Sequence, residues 1–169
     1  MELWDAYTKN ETRTDTVLVR GEPVPDGLYH LACGVFVRHK DGSVLCMKRA
    51  QAKTSYPGRY DVSAGGAALR GEDKYACVKR ELKEETGITC DDFQLIGRHV
   101  SEKSHIILYN FLCTVDCPKD SITLQEGETE GYVWMSEAEF VEFVRSGGMI
   151  SWQKTQYHDY MVEQGWIKE

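Results

Sequence analysis

The stretch from Gly66 to Ile88, GAALRGEDKYACVKRELKEETGI, determines most of what the sequence says about fold and function. Its second part predicts a helix from about Asp73 to Thr86. The helix is expected to stop at Gly87, because glycine adopts the left-handed conformation that ends many helices without a steric penalty. Which side chains of this stretch lie close together therefore depends on their positions around the helix.

Three carboxylates lie on one face of this predicted helix. At about 100° per residue, Glu84 and Glu85 fall within about 60° of Glu81, on either side of it. Arg80 lies within about 40° of Glu84, close enough to hold it in a hydrogen-bonded ion pair. The adjoining face is largely apolar and is expected to pack against the domain, with Glu85 at its edge; it consists of Tyr75, Val78, Leu82 and Thr86.

An acidic cluster of this kind has two interpretations. The simpler interpretation is a solvated acidic face, because like charges at i,i+3 and i,i+4 destabilise an exposed helix by only roughly 0.2–0.5 kcal/mol each. The second interpretation is a cation site. The preceding pair Gly65-Gly66 favours it, since glycine permits close backbone approach and can present a carbonyl oxygen to the same site. Clustered hard oxygen ligands suit Mg²⁺ or Mn²⁺, and Mg²⁺ is usually shared with substrate phosphates. The context therefore favours a divalent-cation site.

The rest of the chain contains interspersed strand and helix signals. Asp41-Gly42 separates two β-prone segments and predicts a hairpin, and Ser136-x-x-Glu139 is a capping box that opens a helix. Strands interspersed with three helices predict an α/β layered domain with a mixed sheet covered by helices. The predicted strands are at about 28–38, 44–47, 59–63, 93–100, 105–115 and 132–135, and the helices at about 73–86, 136–147 and 152–163.

The spacing within the quoted stretch resembles the Nudix box, the signature of a hydrolase family. All its fixed positions are matched, by Gly66, Glu72, Arg80, Glu81, Leu82, Glu84, Glu85, Gly87 and Ile88. The resemblance implies a Nudix-type α/β/α sandwich around a mixed β-sheet. It also implies hydrolysis of a diphosphate linkage in a nucleoside diphosphate joined to another group.

The same resemblance implies the residues of the site. Mg²⁺ (or Mn²⁺) is the implied cofactor, with Glu81, Glu84 and Glu85 as ligands that also help to activate water. Gly66 is the expected source of a carbonyl ligand, Arg80 orients the glutamates, and Glu72 is an accessory or stabilising glutamate. One Nudix hydrolase domain is expected over residues 1–169, with an N-terminal strand or hairpin extension at 1–27, a core at 28–147 and a C-terminal helix at 148–169.

Several short motifs lie outside the box, among them Lys48-Arg49, Tyr56-Pro57-Gly58 and Trp134-Met135-Ser136. Their layout resembles that of the Nudix subgroup that contains isopentenyl diphosphate isomerase. That isomerase has a catalytic Cys and a metal-binding His just before its helix, whereas the stretch from Asp61 to Gly66 contains neither. His30 resembles another metal-side histidine, although a structural role in a strand is the commoner one. Two alternatives to hydrolysis follow. One is an isomerase-like enzyme, which the missing residues oppose; the other is a non-catalytic ligand-binding domain, which the intact glutamates oppose.

A general base and substrate contacts are also expected. Glu81 and Glu84 are candidate bases within the box, while Glu128 and Glu130 lie in an acidic loop that is equally consistent with simple solvation. The candidate phosphate contacts are Arg49, Lys53 and Arg59, each of which alone is more often a surface charge. The candidate aromatic groups for stacking on a base are Tyr56, Tyr60 and Trp134, although core packing is the commoner role.

Composition excludes several classes of protein. The 169 residues, of which 41% are hydrophobic and 28% charged, predict one globular domain. A formal net charge of -7 disfavours binding to duplex nucleic acid, and leaves a small-molecule diphosphate as the expected partner. The six cysteines lack paired C-x-x-C spacing and predict reduced thiols in a cytoplasmic protein. No membrane span or signal peptide is predicted, and an aromatic C-terminal run makes a homodimer possible.

Overall fold

The computed structural model describes residues 1–169, which form nine strands and four helices. The strands are β1 (Leu3–Tyr7), β2 (Arg13–Val19), β3 (His30–His39), β4 (Val44–Arg49), β5 (Tyr60–Val62), β6 (Ala64–Ala67), β7 (Gln94–Ser101), β8 (Ile106–Val115) and β9 (Thr129–Met135). The helices are α1 (Lys74–Thr86), α2 (Glu137–Arg145), α3 (Ser151–Gln156) and α4 (His158–Glu163). None of these helices has the length and apolarity that a transmembrane segment needs.

Seven of the strands form one mixed sheet. The order along the sheet is β5-β4-β3-β8-β7, with β6 also pairing to β3 and β9 to β4. Strands β3 and β8 run parallel through ten paired residues, from His30 opposite Ile106 to His39 opposite Val115, and the other pairs are antiparallel. The prediction of a mixed β-sheet is confirmed.

Two hydrophobic cores lie on opposite faces of this sheet, because successive side chains of a strand point to opposite faces. On one face, Leu31 and Val35 of β3 belong to the core that contains Leu82 of α1. On the other face, Phe36 belongs to the core that contains Phe140 of α2 and residues of α4. The arrangement is the predicted α/β/α sandwich, and it leaves α1 on one side of the sheet.

The two ends of the chain flank this sandwich. Strands β1 and β2 pair into a separate two-stranded sheet, and a carboxylate oxygen of Asp5 accepts a hydrogen bond of 2.8 Å from the backbone N–H of Gly71, before α1. At the other end, the sequence predicts one helix, whereas the structure has the two short helices α3 and α4. They meet at Tyr157, whose backbone leaves helical geometry and whose buried ring packs edge-on against Phe36.

Candidate active site

Helix α1 is fixed at both ends by the residues that the sequence indicates. The Asp73 side chain accepts hydrogen bonds from the backbone N–H groups of Tyr75 and Ala76, at 3.0 and 2.8 Å. At the other end Gly87 adopts the left-handed conformation, with φ of 76°, and its N–H donates to the carbonyl of Lys83. The buried face of the helix differs from the prediction at one position: Cys77 is buried there, whereas Tyr75 is half exposed. The other buried residues are the predicted Val78, Leu82 and Thr86.

Arg80 connects the acidic side chains of the box. Its guanidinium binds both oxygens of Glu72, at 2.7 and 2.9 Å, and also donates to the backbone carbonyl of Ala67. The remaining nitrogen, Nη1, binds Glu81 at 2.7 Å and Glu84 at 3.1 Å. These anionic partners raise the pKa of Arg80, so that it stays charged. Arg80 thereby sets the positions of two of the three helix carboxylates.

Glu85, the third, has a different environment. Its Oε2 accepts a hydrogen bond of 3.0 Å from the backbone N–H of Gly65, and no cationic side chain forms an ion pair with it. Burial, followed by the charge of Glu81, raises the pKa of Glu85 to about 8; Asp61 and Glu128 add to the effect. An unneutralised carboxylate in a shielded position is what a bound cation would stabilise.

Gly66 lies directly against Glu81. A Cβ at this position would overlap the Glu81 carboxylate, so a larger residue would displace that side chain from its present place. Burial raises the pKa of Glu81, although Arg80 acts in the opposite direction. The carbonyl of Gly66 lies 3.6 Å from the thiol sulfur of Cys77. The structure therefore brings Gly66 and the Glu81 side chain together, while the role of the Gly66 carbonyl as a ligand stays a prediction.

The donor set fits a divalent cation by its chemistry. In Glu81, Glu84 and Glu85, one carboxylate oxygen is engaged by Arg80 or Gly65, and the other has no hydrogen-bond partner in the protein. These free atoms are hard oxygen donors of the kind that Mg²⁺ takes. The structure contains no group of three His, Cys, Asp or Glu side chains that could hold a metal ion. Mg²⁺ is, however, often held by one or two carboxylates together with substrate phosphates.

The acidic loop before β9 lies beside this cluster. Glu128 forms an ion pair with Lys53, and its charge contributes to the raised pKa of Glu85. Glu130 instead pairs with Lys48 at 3.0 Å and accepts a hydrogen bond from the backbone N–H of Gln51. Glu128 is thus electrostatically connected to Glu85, whereas Glu130 lies on β9 itself and not in the predicted loop.

The predicted arginine contacts are engaged by the protein itself. Arg49 binds Asp61 at 2.6 Å through Nη1 and donates through Nε and Nη2 to the carbonyl of Ser55. Arg59 donates to the carbonyls of Gly147 and Gly148, just after α2, at 3.2 and 2.8 Å. The structure does not bring these two guanidinium groups together, and each has structural contacts.

Asp61 is a polar residue of this region that sequence reasoning did not single out. Its Oδ2 binds Arg49, while its Oδ1 is buried and has no hydrogen-bond partner. Burial raises the pKa of Asp61 in spite of the arginine. The only sequence signal was its place at the start of the segment that leads into Gly65-Gly66.

His30 is held by contacts with neighbouring residues. Its ring stacks on Trp4, with centroids 4.1 Å apart, and its Nδ1 lies 3.3 Å from the carbonyl of Leu31. Burial lowers the pKa of His30. These contacts are those of a structural residue between β3 and the N-terminal hairpin.

Comparison with known proteins identifies the family of this fold and site. A profile of the NUDIX domain matches residues 28–157. An uncharacterized Nudix hydrolase of Listeria monocytogenes is 33% identical over 152 residues, which are 88% of this chain and 87% of the relative. An isopentenyl-diphosphate Delta-isomerase of Rhizobium rhizogenes is more distant, with 27% identity over 127 residues, or 72% of this chain and 61% of that protein.

Solved structures with the same fold are also found. The crystal structure of DR0079 from Deinococcus radiodurans matches with a TM-score of 0.68 and 18% identity, covering 86% of this chain and 90% of that one. An Ap4A hydrolase of C. elegans, solved as a binary complex, matches with a TM-score of 0.56 and 15% identity, covering 80% of this chain and 99% of that one. At these identities the likeness concerns the fold alone.

Proposed function

This chain belongs to the Nudix family of hydrolases, which act on phosphorus-containing acid anhydrides, and on that premise we propose that it is a Mg²⁺-dependent pyrophosphohydrolase. The proposed substrate is a small molecule in which a nucleoside diphosphate is linked to another group. One observation carries the proposal: Glu81 lies against Gly66, Glu85 is bound by Gly65, and each of the three glutamates Glu81, Glu84 and Glu85 has an unengaged carboxylate oxygen.

The proposed metal ligands are Glu81, Glu84, Glu85 and the carbonyl of Gly66. A cation held there supplies charge neutralisation of the diphosphate oxygens and a lowered pKa for a bound water. Arg80 holds Glu81 and Glu84 in place through Nη1 and is itself fixed by both oxygens of Glu72. The role that we assign to Arg80 is therefore orientation of the ligands, not contact with the substrate.

Glu128 is our proposed general base. It is the loop glutamate whose charge reaches Glu85, and a base has to lie within reach of the attacking water. Lys53 binds Glu128 and is the cation best placed to contact a substrate phosphate beside that water. Glu81, Glu84 and Glu130 were further candidates by sequence; Glu81 and Glu84 are proposed metal ligands held by Arg80, and Glu130 lies on β9 and pairs with Lys48. Arg49 and Arg59 stay predictions as phosphate contacts.

The remaining partners of the protein follow from its charge and composition. A net charge of -7 opposes binding of a duplex nucleic acid and of an anionic membrane surface, whereas a cation can mediate binding of a small diphosphate. All six cysteines are free thiols, which supports a cytoplasmic location. Tyr157, Tyr160 and Trp166 of the C-terminal aromatic run are buried in the second core, so these side chains are not free to form a homodimer interface.

Product release from a panel of substrates tests the proposal. The panel contains nucleoside di- and triphosphates, nucleotide sugars, dinucleotides and isopentenyl diphosphate, each assayed with Mg²⁺ and with a chelator. We expect Mg²⁺-dependent cleavage of at least one nucleotide, lost in Glu85→Gln and kept in Glu142→Gln, a change of an exposed glutamate on α2. Isomerisation of isopentenyl diphosphate, or turnover that survives in Glu85→Gln, would contradict it.

A further inference from the structure

The N-terminal hairpin of β1 and β2 is joined to the loop between β6 and α1, the loop that carries Glu72. The backbone N–H of Arg70 in this loop donates to the carbonyl of Leu3 on β1 at 2.8 Å. The next residue, Gly71, donates its N–H to Oδ2 of Asp5, also on β1, at 2.8 Å. Two successive backbone groups of the loop are therefore bound by one strand of the hairpin.

Asp5 is a buried carboxylate with two separate partners. Only 5% of the residue is exposed, which is uncommon for an acidic residue. Its Oδ1 lies 3.2 Å from a guanidinium nitrogen of Arg13 on β2, and its Oδ2 accepts the hydrogen bond from Gly71. A buried carboxylate needs such partners, because its removal from water is costly. The two oxygens divide the work: one bond stays within the hairpin, and the other reaches the loop.

A chain of direct contacts continues from this loop to the helix carboxylates. Gly71 precedes Glu72, whose Oε2 also accepts a hydrogen bond of 2.9 Å from the backbone N–H of Leu69, so side chain and loop hold each other. Both oxygens of Glu72 bind Arg80, at 2.7 and 2.9 Å. Arg80 in turn binds Glu81 at 2.7 Å. The position of the loop is therefore transmitted to a proposed metal ligand through hydrogen bonds alone.

We propose that Asp5 is a positioning residue for the metal site, which fixes the loop so that Glu72 can support Arg80. The proposal rests on the proposed function, because it takes Glu81 to be a metal ligand. Gly71 has a φ of 87° and no side chain that could pack against the hairpin, and glycine has more backbone freedom than any other residue. The hydrogen bond to Asp5 supplies the restraint. Asp5 itself lies outside the Nudix box and acts only through the loop.

Calorimetric titration with Mg²⁺ alone tests the proposal without any turnover. Asp5→Ala removes the acceptor for the N–H of Gly71, and we expect the Kd for Mg²⁺ to rise roughly threefold to tenfold, less than for a direct partner of a ligand. Asp5→Asn keeps a carbonyl oxygen for the same N–H and should restore the Kd to within about twofold of that of the unmodified protein. The matched control is Arg13→Gln, which removes the ion pair of Asp5, keeps its bond to Gly71 and should leave the Kd unchanged.

Urea unfolding without metal identifies a temperature at which every variant is folded, and the titrations are made there. A merely structural role of Asp5 would lower the stability of Asp5→Ala and leave its Kd for Mg²⁺ unchanged, which would overturn the proposal. An equal loss of affinity in Arg13→Gln, or no recovery in Asp5→Asn, would also overturn it. Absence of Mg²⁺ binding by the unmodified protein would contradict the proposed function as well, whereas normal binding in both the unmodified protein and Asp5→Ala would contradict this proposal alone.

Discussion

The helix α1 and the segment around the start of β9 both carry acidic side chains, and they neutralise them differently. Glu128, just before β9, pairs with Lys53, and Glu130, on β9, pairs with Lys48. At the helix, Arg80 alone binds Glu72, which precedes α1, together with Glu81 and Glu84, and Glu85 has no cationic partner. The carboxylate without a cationic partner is therefore Glu85, whose Oε2 is bound by the backbone N–H of Gly65. The difference indicates where a cation is needed.

The largest effect is expected on the loop side of this comparison. If Glu128 is the general base, Glu128→Gln should lower kcat by roughly 10²–10⁴ while the free energy of unfolding changes by less than about 1 kcal/mol, since its pair with Lys53 is partly exposed. The matched control is Glu130→Gln, for which we expect a change in kcat of less than about tenfold. Equal losses of kcat in the two variants would remove the distinction between the two glutamates.

On the helix side, removal of the shared arginine should cost stability. Arg80→Met leaves the partly buried Glu72 and Glu81 without their partner, and we expect the free energy of unfolding to fall by about 2–3 kcal/mol, below the range for fully buried pairs because Arg80 is 21% exposed. Urea unfolding measures this change. Arg20→Met, which breaks the exposed pair with Glu2, should cost no more than about 1 kcal/mol. A similar loss of unfolding free energy in the two variants would show that the ion pairs of Arg80 stabilise the fold no more than an exposed pair does.

A smaller effect concerns pH. Without metal, the pKa of Glu85 is raised from 4.5 to about 8, so between these values the folded state binds more protons than the unfolded state. Stability of the metal-free protein should therefore fall as the pH rises through this window, by roughly 1–2 kcal/mol after allowance for solvent screening. Urea unfolding with a chelator between pH 5 and pH 8 measures it. In Glu85→Gln this part of the pH dependence should be absent, and an identical profile would contradict the assigned environment of Glu85.

Local signals were sufficient for the helix of the site. Asp73 and Gly87 form its caps, Arg80 reaches its neighbours one and four residues away, and the capping box of Ser136 and Glu139 is formed at α2. Such interactions depend on residues within one or two helical turns, so spacing alone predicts them.

Long-range pairings could not be predicted in the same way. Lys53 meets Glu128 across 75 positions of the chain, and Arg59 reaches Gly148 across 89. Which residue pairs with which depends on how the loops fold over the sheet, and the residue types in the sequence do not indicate that arrangement. The break at Tyr157 has a similar origin, because packing of its ring on Phe36 replaces a continuous helix.

The central claim is that the helix carboxylates hold a divalent cation, and thermal unfolding with and without Mg²⁺ tests it most directly. Binding to the folded state alone should stabilise the protein by roughly 1–3 kcal/mol at saturating Mg²⁺, which corresponds to an increase in Tm of about 3–8 °C. We expect this increase in the unmodified protein and in Glu142→Gln, and less than about a third of it in Glu85→Gln. An equal increase in all three proteins, or none in the unmodified protein, would contradict the account.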